Sequence, residues 1–237
     1  MGSVDVRVVR AAERFATRTA WLESRHSFSF GPHYDPANVG HGLLVVSNDD
    51  VVRAGSGFQT HPHRDMEIVT WVLDGELGHR DTLGNAGVIH PGLAQRMSAG
   101  TGIWHSELNP RGDADVRFVQ MWVLPDTASV GPSYEQLDVS AELDRGGLHA
   151  IASGRGHDAA VSIRQRGAAL WAGRLRPGET VRVPDNRHVH VFVARGTAAL
   201  EGAGALAEGD AVRLTAAGSP ALAAGDGGAE LLIWETT

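Results

Sequence analysis

Two short segments of the sequence carry side chains of the types that can bind metal ions. The first contains His61 and His63, two residues apart, and the second contains His105 and Glu107 with the same spacing. In a β-strand, residues two apart point to the same face, so each segment presents both side chains on one side. Two such strands that face each other across a narrow barrel would bring three imidazoles and one carboxylate together. This donor set is a complete ligand shell for a divalent transition metal.

Other residues offer alternatives to this ligand set. Glu67 shares the parity of His61 and His63 if their strand continues, so it supplies a second candidate carboxylate. His188 and His190 form another pair two residues apart, but no third histidine follows them, and we interpret both as ordinary strand residues. The remaining histidines are assigned to surface or hydrogen-bonded positions: His26, His33, His41, His79, His90, His149 and His157.

The absence of certain residues and motifs narrows the chemistry further. The chain has no cysteine, so a metal must take nitrogen and oxygen ligands, and thiol nucleophiles and disulfides are excluded. Three imidazoles and one carboxylate suit Fe(II), Mn, Co, Ni, Cu or Zn. The sequence contains none of the motifs typical of nucleotide-phosphate binding, serine hydrolysis or zinc proteases. We therefore expect metal-assisted chemistry at one site per chain.

The elements that must position these residues are predicted to be β-strands. Short runs of alternating apolar residues are separated by Gly, Pro and Asp, and almost no stretch keeps a helical period. This pattern predicts an all-β protein of the jelly-roll type. The clearest predicted strands are Leu43 to Ser47, Met66 to Leu73, Val116 to Val123, Ala169 to Leu175, His188 to Ala194 and Leu231 to Glu235.

The strands are predicted to form two similar halves. The polar segment Asp126 to Gly147 interrupts the alternation and is interpreted as the connection between them. Val72 to Gly75 resembles Val193 to Gly196, at an offset of 121 residues, and Asp74-Gly75 is typical of a β-hairpin turn. The same offset places Arg182, Pro184 and Asp226 opposite the three histidines, so the second half is predicted to lack a metal site.

Charge and hydropathy exclude several classes of partner. The net charge is −7, which leaves no basic surface for a phosphate backbone and argues against direct nucleic-acid binding. No apolar run approaches the roughly 20 residues needed to cross a bilayer, and the first residues lack the apolar core of a signal peptide. We expect a cytoplasmic protein that does not bind membranes.

Longer motifs resemble a known family. The segments HSFSFG (His26 to Gly31), NDD (Asn48 to Asp50), GSGFQTHPHRDMEIVTWVLDGEL (Gly55 to Leu77) and SAGTGIWHSELNP (Ser98 to Pro110) resemble pirins, in particular the bacterial pirins described as quercetin 2,3-dioxygenases. The last two segments also resemble the two cupin motifs. The resemblance is specific from about Trp21 to Pro125 and weak beyond.

The resemblance implies a fold and a ligand set. The fold is a bicupin, in which two double-stranded β-helix barrels pack face to face, with residues 1–130 forming the metal-binding barrel and residues 131–237 forming a barrel without metal ligands. The implied ligands are His61, His63, His105 and Glu107, and the first candidate for the metal is iron. Other cupins take their carboxylate ligand at the position of Glu67, which is here assigned beside the ligands rather than among them.

The implied activity is the opening of the central ring of a flavonol such as quercetin by dioxygen. Glu107 would accept the proton of the flavonol hydroxyl, and Phe58, Met97 and Trp104, close to the ligands in sequence, would form apolar walls. Each of these three side chains equally suits ordinary core packing. Some pirins are described as regulators that bind a protein partner through a metal-dependent surface, and this remains the alternative. A third possibility is another cupin-type oxygenase or isomerase.

Overall fold

The strands of the computed structural model, which describes residues 4–237, vary from two to sixteen residues in length. The strands before the connection are β1 (Asp5–Val9), β2 (Phe15–Arg18), β3 (Leu22–His26), β4 (Leu44–Val52), β5 (Gly57–His63), β6 (Glu67–Asp74), β7 (Leu77–Asp81), β8 (Ala86–Ile89), β9 (Leu93–Ser98), β10 (Ile103–Leu108), β11 (Val116–Val123) and β12 (Ser133–Asp138). Those after it are β13 (His149–Ser153), β14 (Val161–Ser162), β15 (Ala168–Leu175), β16 (Thr180–Arg182), β17 (His188–Leu200), β18 (Gly204–Ala207), β19 (Ala211–Thr215) and β20 (Ala221–Thr236). A 3₁₀ turn (Ala11–Glu13) and the helix α1 (Ser140–Leu143) complete the described secondary structure.

The first barrel consists of two sheets. Seven strands lie in the order β12-β9-β6-β11-β4-β3-β2, and four lie in the order β5-β10-β7-β8. Leu77 and Ile89 of the small sheet pack against Val72 and Phe118 of the large sheet, and all four side chains are fully buried. The candidate ligands on β5 and β10 therefore belong to the small sheet, which an apolar core holds against the large one.

The second barrel repeats the strand order of the first. Its sheet has the order β1-β19-β17-β20-β15-β13-β14, in which β17, β20 and β15 occupy the places of β6, β11 and β4. Gly75 and Gly196, the equivalent glycines of the sequence repeat, have φ angles of 77° and 73°. In both places a Cβ atom would collide with a neighbouring backbone carbonyl. The architecture is a bicupin, and the internal repeat predicted from the sequence is confirmed.

The two barrels exchange one strand each. β1, which precedes the first barrel, pairs with β19 of the second, and β12, which precedes the second barrel, pairs with β9 of the first. The predicted division between residues 130 and 131 therefore lies just before β12 in the sequence. It does not divide the sheets of the two barrels, because β12 belongs to the sheet of the first. Each half contributes an edge strand to the other, so neither barrel is complete without both.

The large sheets of the two barrels pack together through the principal apolar core. Trp71 and Met121 of the first barrel and Phe192 and Trp234 of the second belong to one buried cluster. The indole nitrogen of Trp71 donates a hydrogen bond of 2.8 Å to a carboxylate oxygen of Glu230, across the boundary between the barrels. A buried indole that finds such a partner avoids the desolvation penalty of an unpaired N–H.

The predicted hairpin at Asp74-Gly75 is wrong. β6 lies in the large sheet and β7 in the small sheet, so the chain crosses between sheets here instead of folding back on one. Gly75 has the left-handed φ expected of such a turn, whereas Asp74 is not among the residues with positive φ. The sequence signal identified a sharp turn correctly but not the sheets that the turn connects. No described helix is long and apolar enough to span a membrane.

Candidate metal centre

Antiparallel pairing of β5 and β10 brings the candidate ligands together. His105 lies opposite His61, and Ile103 lies opposite His63, so the imidazoles point to the same face of the small sheet. A β-bulge follows, because Glu107 lies opposite Phe58 rather than Gln59. The extra residue in β5 turns Phe58 to the same face as His61, although the two are three residues apart.

Three imidazoles form a compact cluster inside the first barrel. One ring nitrogen from each of His61, His63 and His105 lies within 4.8 Å of the others, and this is the only such group of three or more potential ligands within residues 4–237. The Nε2 atoms of His63 and His105 are buried and have no hydrogen-bond partner among the described residues. Buried nitrogens without a partner are costly, and a divalent metal ion would satisfy both. The donor set therefore fits a divalent transition metal.

The protonation state of the cluster suits metal binding. Burial, together with the neighbouring histidines, lowers the pKa of His63 to about 4 and that of His105 to about 3. Both imidazoles are consequently neutral at neutral pH, and a neutral imidazole has the free lone pair that a metal requires.

Glu107 is 2% exposed and lies beside His105, although it is not one of the three residues whose ligand atoms cluster. One carboxylate oxygen is 4.0 Å from Nε2 of His105, and the amide nitrogen of Gln120 donates to both oxygens at 2.9 and 2.8 Å. The indole nitrogen of Trp122 donates to the amide oxygen of Gln120 at 3.0 Å, which fixes the orientation of that amide. Sequence reasoning missed Gln120 and Trp122, although their spacing of two residues on a predicted strand places both on one face.

Glu67 occupies a different environment. The chain turns at Asp65, whose φ is 46°, and Glu67 begins β6 in the large sheet, so the strand of His61 and His63 does not continue to Glu67 and the parity argument for this carboxylate does not apply. Its carboxylate accepts hydrogen bonds from Ser98 Oγ at 2.7 Å and from the backbone N–H of Arg164 at 3.1 Å. Burial raises the pKa of Glu67. This carboxylate connects the first barrel to the second and is not part of the histidine cluster.

The three predicted wall residues lie in different places. Phe58 has its ring centroid 6.3 Å from that of His61 and lines, with Trp21, an open cavity of about 560 Å³ that reaches His61. Met97 is fully buried in the small apolar cluster that includes Ile103. Trp104 is 51% exposed and alternates with His105 on β10, so it points away from the imidazoles. The structure thus brings Phe58, but not Trp104, to the candidate site.

The second barrel holds no comparable cluster within the described residues. His190 is buried, and its Nε2 has no described partner, but its nearest ring neighbour is Phe28 at 5.6 Å. Burial and the adjacent Arg213 keep the pKa of His190 well below its usual value. The interpretation of His188 and His190 as ordinary strand residues stays a prediction.

Comparisons with known proteins identify the family. Residues 7–123 match the Pirin family model, and residues 150–235 match the model described as the quercetinase C-terminal cupin domain. A Mycobacterium tuberculosis protein named "Putative quercetin 2,3-dioxygenase" is 57% identical over 98% of this chain and 96% of its own length. The chain belongs to the pirin family.

A sequence and a crystal structure from Escherichia coli extend the comparison. An E. coli protein named quercetin 2,3-dioxygenase is 38% identical to this pirin sequence over 81% of the chain and 83% of its own length. The crystal structure of the E. coli pirin YhhW in complex with nickel(II) superposes with a TM-score of 0.89 and 33% identity over 98% of this chain and 99% of that one. The pirin fold of the present chain is thus shared over nearly its whole length.

His79 and Asp81 form a buried, hydrogen-bonded pair next to His105. His79 and Asp81 lie on β7, which pairs with β10 so that Asp81 is opposite His105. Nε2 of His79 is 3.1 Å from a carboxylate oxygen of Asp81, and its Nδ1 is 3.5 Å from Nδ1 of His105. Asn85 in turn donates its side-chain and backbone N–H groups to Asp81. Sequence reasoning assigned His79 to a structural position, although its spacing from Asp81 repeats that of His105 and Glu107.

Replacing Asp81 by Asn is expected to weaken metal binding about 10-fold to 100-fold, because the carboxylate orients His79 and through it the ring of His105. Competition with a chelator, followed by elemental analysis, measures the change. The matched control is Asp113→Asn, which removes an exposed carboxylate paired only with Arg111 and should leave metal affinity unchanged. Equal affinities of the Asp81 and Asp113 variants would show that the buried pair does not orient His105.

Proposed function

We propose that this protein is a metal-dependent dioxygenase that opens the central ring of flavonols such as quercetin. The observation that supports it most directly is the cluster of His61, His63 and His105, with two buried Nε2 atoms that lack any partner in the described chain. The names of the relatives, quercetin 2,3-dioxygenase among them, select this activity from the reactions that cupin barrels support.

The proposed metal ligands are His61, His63, His105 and Glu107, with iron(II) as the first candidate. Such a metal, when bound, would supply a Lewis acid that polarises a substrate oxygen and supports oxidation by dioxygen. Nickel(II) in the E. coli pirin fits the expectation that several divalent ions bind this type of site, because selection among them follows geometry and availability more than raw affinity.

Glu107 is proposed to take up the proton of the flavonol 3-hydroxyl group. It is nearly inaccessible to water, and within the described residues it accepts hydrogen bonds only from the neutral donors Gln120 and Thr70. These donors hold the carboxylate in place, so that one of its oxygens would bind the metal while the other accepts the proton of the substrate hydroxyl.

The surroundings of the cluster suit a flat aromatic substrate. The ring of Trp122 packs edge to face against His63, with centroids 4.9 Å apart, while Phe58 lies beside His61 on the cavity side. Among the four proposed ligands, His61 alone lines the cavity of about 560 Å³, whose volume falls within the range typical of small-molecule sites. Phe58 and Trp21 are proposed to bind the flavonol rings and to exclude water from the reacting atoms.

The test is to incubate quercetin and dioxygen with protein reconstituted separately with iron, manganese, nickel, cobalt or copper. In the proposed reaction, one O₂ adds to one flavonol, and the products are a ring-opened ester and one carbon monoxide. Loss of flavonol absorbance should therefore match oxygen uptake and carbon monoxide release at a ratio of one to one. All three signals should vanish in His61→Ala. Flavonol binding without oxygen uptake for every metal would refute the proposal.

One observation favours the alternative of a regulatory protein that binds a partner. Trp104, Leu108 and Val88 are 51%, 37% and 45% exposed, and the pairing of β10, β7 and β8 places them on the outer face of the small sheet. Apolar side chains that share one exposed sheet face are a surface to which a protein partner would bind. The oxygen-uptake experiment distinguishes the two functions, because a regulator needs no turnover of flavonol.

A further inference from the structure

A second cavity lies at the seam between the barrels, remote in sequence from the metal ligands. It measures about 330 Å³ and forms where β1 crosses to the second barrel. Polar and charged side chains dominate its lining, together with three apolar residues: Arg7, Val8, Val9, Glu13, Arg14, Phe15, His26, Ser27, Asp35, Asn38 and Arg213. Neither the flavonol reaction nor the histidine cluster uses any of these groups.

Two buried arginines are the unusual feature of this cavity. Arg14, which follows the 3₁₀ turn, is 4% exposed, and Arg213 on β19 is 6% exposed. Arg14 donates to the backbone oxygen of Arg25 at 2.7 Å, and its closest carboxylate, that of Asp49, is 4.0 Å away. A buried guanidinium normally has a carboxylate in direct contact, because desolvation of an unpaired charge is very unfavourable.

Arg213 is compensated by an aromatic ring and not by a carboxylate, since its guanidinium carbon lies 4.5 Å from the ring centroid of Phe28. Its Nη2 donates to the backbone oxygen of Ser27 at 2.7 Å and to the amide oxygen of Asn38 at 2.6 Å, and both acceptors are neutral. No carboxylate within residues 4–237 forms an ion pair with it. Burial lowers the pKa of Arg14 and of Arg213 to about 10 in each case, which is the effect expected when desolvation is not balanced by an opposite charge.

Unused hydrogen-bonding groups accompany these charges. In the described part of the chain, the Nε atoms of Arg14 and Arg213 and the hydroxyl of Ser27 are buried without a partner. They represent three of the eight side-chain atoms of this kind, and all three belong to residues that line the cavity. Buried donors without acceptors are rare in native proteins, so their concentration at one cavity indicates a ligand that accepts hydrogen bonds.

The other titratable groups at the cavity leave a positive charge. The carboxylate of Glu13 accepts the backbone N–H of Arg10 at 2.9 Å, and that of Asp35 accepts the backbone N–H of Ala37 at 2.9 Å. Burial lowers the pKa of His26, so this imidazole is neutral at neutral pH. Three lining arginines against two lining carboxylates give 3 − 2 = +1 for the lining residues.

We propose that this cavity binds a small anion with carboxylate or phosphate groups, held between Arg14 and Arg213. Guanidinium groups recognise both kinds of oxyanion through the same charge-assisted hydrogen bonds, and the cavity volume suits anions from inorganic phosphate to a tricarboxylate. Because Arg14 precedes the first barrel and Arg213 belongs to the second, the anion would link the two barrels at the exchanged strand β1. This proposal is independent of the flavonol activity.

The first test uses the unmodified protein with inorganic phosphate and citrate as separate probes, and sodium chloride at equal ionic strength as the reference. NMR of the arginine Nε–H groups should show saturable shifts of the Arg14 and Arg213 signals with one site per chain. The melting temperature should rise by about 5 °C at a hundred-fold excess over Kd. A response to only one probe identifies the anion class. The absence of any response beyond that of chloride, with both probes, would overturn the proposal.

Conservative variants separate the site from general ion effects. Arg213→Lys and Arg14→Lys keep the charge but lose the planar donor group, so each should weaken anion binding at least about 10-fold. Arg96→Lys is the matched control, because Arg96 is 2% exposed but already pairs with Glu135 at 2.8 Å, away from this cavity. An equal loss of affinity in the Arg96 and Arg213 variants would contradict the assignment of the site. If a lysine variant does not fold, the NMR titration of the unmodified protein still tests the proposal.

Discussion

Replacing His105 by Ala is expected to reduce bound metal from about one ion per chain to less than about a tenth. His105 supplies one of only three clustered imidazoles, and its Nε2 atom is buried with no other described partner. Two imidazoles and one carboxylate would remain, and the loss of a nitrogen ligand lowers affinity far more than a change in a residue behind the ligands. Elemental analysis after dialysis against metal-free buffer measures the stoichiometry.

His190→Ala is the matched control. His190 is as deeply buried as His105, at 2% against 1% exposure, and its Nε2 also lacks a described partner, but no other imidazoles are clustered with its ring nitrogens. The control should therefore retain about one metal per chain while sharing any general effect of losing a buried ring. Equal metal loss in both variants would mean that the metal site has been assigned to the wrong barrel. Two metal ions per wild-type chain would show that the second barrel also binds one.

The strand pattern was predictable because it depends on local sequence. Each of the six clearest predicted segments contains a strand or overlaps one, and Val116 to Val123 coincides with β11. The exchange of β1 and β12 was not predictable in the same way. Val6 pairs with Leu214, more than 200 residues later, and an edge strand with an alternating pattern fits either barrel equally well. Partner choice depends on the packing of both barrels, which a single local pattern does not contain.

For the candidate site, too, the sequence predicts what depends on local structure but not what depends on tertiary structure. Parity on a strand correctly placed His61, His63, His105 and Glu107 on one face, because each pair lies within a single strand. The same rule separates Trp104 from His105 on β10, so the structure corrects its assignment to the pocket walls. The remaining features of the site depend on tertiary structure, which strand parity does not predict.

Two irregularities explain the remaining differences. The bulge in β5 turns Phe58 toward the cluster, and the turn at Asp65 moves Glu67 into the other sheet. A one-residue insertion in a strand reverses the face of every residue beyond it, so one unrecognised bulge changes the predicted site. The motif resemblance favours Glu107 over Glu67 as the metal ligand. The structure places the two carboxylates in different surroundings, so replacing each in turn compares their roles directly.

Glu107→Gln is expected to lower kcat for quercetin oxygenation about 100-fold to 1,000-fold in metal-saturated protein. A glutamine of nearly the same shape cannot accept the hydroxyl proton, and a correctly placed general base typically accelerates a reaction by 10² to 10⁴. Glutamine is also a weaker metal ligand than glutamate, so the variant should lose metal faster to a chelator. Steady-state oxygen uptake with excess metal, together with chelator competition, separates the two effects.

Glu67→Gln provides the comparison that decides between the carboxylates. It removes a negative acceptor from Ser98 Oγ and from the backbone N–H of Arg164, so its main effect should be a loss of stability of about 1–3 kcal/mol. Metal retention and kcat should stay close to wild type, because this carboxylate is already bound by groups outside the histidine cluster. A greater loss of metal in Glu67→Gln than in Glu107→Gln would mean that the metal takes its carboxylate from the position used by other cupins. In that case Glu67 would have to bind the metal through Oε1, because Ser98 Oγ and the backbone N–H of Arg164 both donate to Oε2.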